Sequence, residues 1–103
     1  MWSYDMWNVN VGDYGYTCRL VLQQDGVTQD ISSYGTRQLL FTSPSGAETT
    51  KTAQFDTDGT DGALTYTVAD GDIAAVGVWD VRARIAKSGA QLTSDRLKMI
   101  VEA

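Results

Sequence analysis

VWDVRARI, residues 78–85, puts an apolar side chain at every second position: Trp79, Val81, Ala83 and Ile85 on one side, Asp80, Arg82 and Arg84 on the other. A period of two marks a half-buried β-strand, because successive side chains leave a pleated backbone on opposite faces. An apolar strand face needs a second layer to bury it, so the same period is expected in other segments. It recurs along the chain. After the KSGA turn, DRLKMIV (95–101) offers Leu97, Met99 and Val101. Upstream, ALTYTV (63–68) offers Leu64, Tyr66 and Val68, and TTKTAQF (49–55) offers Ala53 and Phe55. SPSG (43–46) has proline and glycine at the second and fourth positions of a type I turn, which folds TTKTAQF back on TRQLLF (36–41). YTCRLVLQ (16–23) aligns Tyr16, Cys18, Leu20 and Leu22, and WNVNV (7–11) aligns Trp7, Val9 and Val11.

These segments predict an all-β fold, a sandwich of about seven strands. Between Val68 and Val78, Asp72 is placed to cap one short helical turn and Gly77 to end it, forming a corner between the two sheets. About twenty inward apolar side chains, each contributing roughly 1.5–3 kcal/mol when buried, make a core sufficient without covalent staples.

At 103 residues the chain is one domain, and its 43% hydrophobic content argues against disorder. Cys18 is the single cysteine, so no internal disulfide forms; its apolar neighbours predict a buried residue, not a reactive thiol. Histidine is absent, which removes Ser-His-Asp and Cys-His triads and the usual zinc sites. A net charge of −5 disfavours general nucleic-acid binding, which draws on clustered cations. The longest apolar run, IAAVGVW (73–79), is too short to cross a membrane. No basic-then-apolar leader opens the sequence, which predicts synthesis and folding in a cytoplasm.

DTDGTDG (56–62) admits three readings. Its first five residues match the DxDGT signature of magnesium-dependent aspartyl phosphatases, with Asp56 as nucleophile and Asp58 as proton shuttle. That chemistry sits at the end of a parallel strand feeding a helix, whereas a β-rich segment follows here with no crossover between. Calcium is the second reading, through Asp56, Asp58 and Asp61. The EF-hand template fails, because its glycine position falls on Asp61 and its terminal glutamate on Thr67. The third reading explains more letters: aspartate bonds nearby backbone in turns, and glycine accepts positive φ. The stretch is therefore expected to be a connection, with no catalytic residue, cofactor or metal assigned.

Two surface features remain. Pairing of the last two long strands gathers Arg82, Arg84, Arg96 and Lys98 on one sheet surface, half of the eight lysines and arginines. Such a face suits acidic loops of an identical or related subunit, or is a solvated face paired locally to Asp80 or Asp95. Residues 1–6, MWSYDM, form an aromatic N-terminal arm before the sandwich of residues 7–103. Trp2 and Tyr4 are candidate interface anchors on a neighbour, unless the arm folds along its own sandwich edge.

QDG (24–26), PSG (44–46), TDGTDGALTY (57–66), GVW (77–79) and LTSDRLKMIV (92–101) occur in an order and spacing that resembles the small immunoglobulin-like domains of tailed-phage virion proteins. The likeness is greatest to the N-terminal domain of baseplate upper proteins and runs from about Gly12 to the C-terminus. It implies an immunoglobulin-like antiparallel β-sandwich acting as a noncatalytic virion structural protein in the tail, baseplate or neck. Its implied partners are other virion proteins and further copies of itself, with no nucleic acid or membrane; its implied location is the virion, after synthesis in the host cytoplasm. The arm is not part of the family pattern. A capsid-decoration or host-glycan adhesion module, using exposed aromatics as stacking platforms, is the alternative.

Overall fold

The alternation of residues 78–85 is realised in the longest strand of the computed structural model, which describes residues 2–4, 7–24, 27–94 and 96–103. In chain order the strands are β1 (Trp2–Tyr4), β2 (Trp7–Asn10), β3 (Thr17–Gln24), β4 (Val27–Thr28), β5 (Thr36–Thr42), β6 (Glu48–Thr52), β7 (Gln54–Phe55), β8 (Ala63–Thr67), β9 (Gly77–Lys87), β10 (Ala90–Thr93) and β11 (Leu97–Glu102). One sheet runs β1-β3-β8-β7, with β4 on β3; the other runs β2-β11-β9-β5-β6, with β10 on β9. Among the described residues the two sheets, of five and six strands, pack face to face as an all-β sandwich.

The core lies between the sheets. Trp79, Val81, Ala83 and Ile85 of β9 are all buried, as are Leu39 and Phe41 of β5 and Met99 and Val101 of β11. Cys18, Leu20, Leu22 and Leu64 face them from the other sheet, with Leu20 opposite Leu64 in the ladder. Burial pushes the Cys18 thiol up to about 12, assisted by the charge of Asp72, so it stays protonated and inert. Loops seal the ends. Ile31 and Ile73, each 1% exposed, enter the core from opposite connections, while Arg37 lies over the Phe55 ring at 4.2 Å and donates to the Tyr34 carbonyl at 3.1 Å.

The structure departs from the expected elements in four places. TTKTAQF is two strands, because the chain changes sheets at fully buried Ala53: β6 pairs with β5 and β7 with β8. The first strand stops at Asn10, and Val11 is exposed; Gly12, at φ 86°, turns the chain so that its N–H reaches the Ile73 carbonyl. That strand also breaks the all-antiparallel rule, since β2 lies parallel to β11. Finally, the corner at 69–77 contains no helical turn. The Asp72 N–H bonds the Ala69 carbonyl at 3.1 Å, closing a β-turn, and the segment is anchored by burial of Ile73 and by the Trp79 Nε1–H donated to the Ala75 carbonyl. The expected turn at 24–26 includes Asp25 and Gly26, which lie outside the described residues.

KSGA turns the chain as expected, but the register then advances by one residue between Thr93↔Arg84 and Leu97↔Val81. That offset is a β-bulge. Ser94 accommodates it: its N–H donates to the Ala83 carbonyl, and its hydroxyl accepts the Ala83 N–H, both at 2.8 Å. Ser94→Ala leaves that buried donor unpaired and is expected to cost about 1–3 kcal/mol. Urea unfolding measures this directly; an unchanged midpoint would contradict the role given to the hydroxyl.

Candidate interaction surface

DTDGTDG connects β7 to β8, which are adjacent and antiparallel with Phe55 opposite Leu64. The phosphatase context, a parallel strand leading into a helix, is therefore replaced by a loop between neighbouring strands. Each acid is engaged locally. Asp56 takes the Arg19 Nε–H at 3.0 Å. Asp58 accepts the Thr60 N–H at 3.0 Å and hydroxyl at 2.6 Å, and these bonds hold its carboxyl below the usual range. Asp61 accepts the Ala63 N–H at 3.1 Å and the Thr57 hydroxyl at 3.3 Å. The same short-range pattern recurs at Asp30, which accepts both the N–H and the hydroxyl of Ser32. Among the described residues, no cluster of three His, Cys, Asp or Glu side chains is arranged to hold a metal ion.

The loop's glycines explain its remaining letters. Gly62 has φ 72°, its carbonyl accepts the Leu22 N–H, and a Cβ there would lie 2.7 Å from the Gln29 carbonyl and 2.8 Å from that of Leu22. Gly46 has a comparable φ of 93° but open space around its missing Cβ. The pair separates backbone strain from collision. Gly46→Ala is expected to lose about 1 kcal/mol and Gly62→Ala about 3 kcal/mol or more, by chemical denaturation. Equal losses would remove the close approach as an explanation.

Of the predicted cations, Arg96 and Lys98 converge on Asp80, whereas Arg82 turns toward β6 and Arg84 lies opposite β10 and β5. Lys98 is opposite Asp80 in the ladder and hydrogen-bonds to it, and Arg96 reaches the same carboxylate at 3.3 Å. Lys98 and then Arg96 hold the Asp80 carboxyl below the ordinary range. Arg82 pairs with Glu48 of β6 at 3.0 Å, while the Arg84 Nε is buried with no hydrogen-bond partner among the described residues. Local pairing thus takes up much of the surface charge. Asp95, the other acid considered for it, lies outside the described residues. Beneath the cations, Leu40 is 1% exposed although it is outside the main core; its ladder partners are Thr50 and Arg82. Sequence periodicity missed this because LLF breaks the alternation.

Trp2 and Tyr4 occupy β1, whose backbone pairs with β3 of the same chain, opposite Leu22 and Leu20. That backbone placement is along the chain's own sheet. It brings neither residue to the β9–β11 ladder.

A second polar cluster was not foreseen. Asp72 accepts the Tyr66 hydroxyl and the Ala69 N–H, and pairs with Lys51 at 3.0 Å, joining both sheets to the corner. These groups border a cleft of about 10 Å³, room for roughly one water molecule. Burial alone would raise the Asp72 pKa, but donation by Tyr66, Ala69 and Lys51 outweighs it and leaves the carboxyl below its ordinary value. Burial, followed by Asp72, pushes Tyr66 up to about 12 and keeps its donor proton. The lowered Asp72 pKa contributes stability that is present above the unfolded-state value and lost as pH falls through the folded one. Asp72→Asn is therefore expected to destabilise at neutral pH and to flatten the acid limb of a stability–pH profile; an unchanged limb would contradict the role given to the carboxylate.

In comparisons with models of known families and with curated proteins, the chain matches none.

Proposed function

We propose that this chain is a noncatalytic structural subunit of a tailed-phage virion, joining neighbouring subunits in the tail, baseplate or neck. The observation that carries the reading is the use made of its polar residues. The acids of DTDGTDG are engaged in loop hydrogen bonds and an ion pair, while the cationic residues occupy a broad sheet surface. Such an extended charged surface suits a protein partner, since complementary charge across an interface steers association and fixes register. The motif resemblance supplies the virion setting. Partners are other virion proteins and copies of the same chain.

A decoration or glycan-adhesion role has one observation in its favour: Tyr14 is 60% exposed and offers a stacking surface. The two roles separate in one preparation. Purified particles are expected to contain the chain at fixed stoichiometry beside tail proteins, and electron cryomicroscopy should locate it there. Absence from particles together with retention on cell-wall polysaccharide would overturn the structural reading in favour of adhesion.

A further inference from the structure

β6 is the last strand of its sheet, and its outward backbone groups can be identified from the hydrogen bonds at both ends of its ladder. The Ser43 N–H donates to the Ala47 carbonyl and the Ala53 N–H to the Arg37 carbonyl, each at 2.9 Å. Both contacts continue the register Gln38↔Thr52, Leu40↔Thr50, Thr42↔Glu48. Bonded and non-bonded pairs alternate in an antiparallel ladder, so Thr49 and Lys51 bond to β5. The N–H and C=O groups of Glu48, Thr50 and Thr52 consequently point away from it. Among the described residues, no strand lies beyond them in that sheet.

Open edges are commonly guarded by charge, especially lysine, and by proline. Here both charges of the strand are already engaged within the chain: Lys51 is held by Asp72 and Glu48 by Arg82, each at 3.0 Å. The remaining residues are threonines, which favour strands and carry no charge.

We propose that two copies of this chain pair edge to edge through β6, antiparallel, with the two-fold axis at Thr50. This register sets Thr50 against Thr50, Glu48 against Thr52 and Thr49 against Lys51, and satisfies every outward backbone group of the strand. A two-fold at Lys51 would oppose two lysines, and one at Thr49 would leave Thr52 unpaired. The same patch on both partners gives an isologous, closed dimer whose outer sheets become continuous. This contact deepens the assembly reading and rests on it for its biological setting. A monomer still built into particles would overturn the pairing alone; a dimer absent from particles would overturn the assembly reading alone.

Proline at Thr50 tests the direction of the backbone groups, because it removes a donor aimed at the partner and none aimed at β5. Sedimentation velocity across a concentration series should show a dimer for the wild type. Thr50→Pro should weaken it on the order of tenfold or more while retaining the wild-type circular dichroism spectrum. If that variant fails to fold, Thr50→Lys and Thr50→Glu keep the test open: each alone should be monomeric where the wild type dimerises, and an equimolar mixture should recover the dimer. A monomeric wild type, or a dimer indifferent to these substitutions, would overturn the proposal.

Discussion

Burial of one face of β9 is the constraint on which the rest of the structure depends. Trp79, Val81, Ala83 and Ile85 leave water only if a second sheet lies across them, and Leu20, Leu22 and Leu64 provide that layer. β9 is also the strand to which β5, β10 and β11 are joined, so its register positions most of its sheet. Its outer residues inherit that order. Asp80 and Arg82 are placed to meet Lys98 and Glu48 because the inner residues between them are fixed by packing. The core thus determines the pattern of charge on the opposite surface.

Much of this was legible because alternation reports a local preference and a burial requirement together. The inward positions of YTCRLVLQ, ALTYTV, VWDVRARI and DRLKMIV read directly from their period. Other features needed information that a period does not carry. Ala53 marks a change of sheet, which depends on what lies on either side of the residue; the Ser94 bulge shifts a register without altering local composition. Ile31 and Ile73 lie in connections, so no strand pattern announces them. Asp72 reads from the sequence as the cap of a short helix, but no helix follows it; its donors come from β6, β8 and the corner.

The same distinction applies to the candidate sites. DTDGTDG has the letters of a catalytic motif and the geometry of a connection between antiparallel neighbours, where its carboxylates satisfy nearby donors. The expected grouping of Arg82, Arg84, Arg96 and Lys98 followed from strand pairing, whereas their interleaving with Asp80 and Glu48 required the register. The edge of β6 was the least visible feature: ETTKT contains no unusual residue, and its capacity for pairing lies in which backbone groups turn outward. Open backbone groups along a strand edge accordingly leave a fainter trace in sequence than chemistry concentrated at a few side chains.

Amide hydrogen exchange measured residue by residue tests the central role of β9 most directly. Its amides from Trp79 to Ile85 should be among the slowest in the chain, exchanging only with global unfolding. Rapid exchange along β9 while the opposing sheet stays protected would contradict a fold organised around that strand.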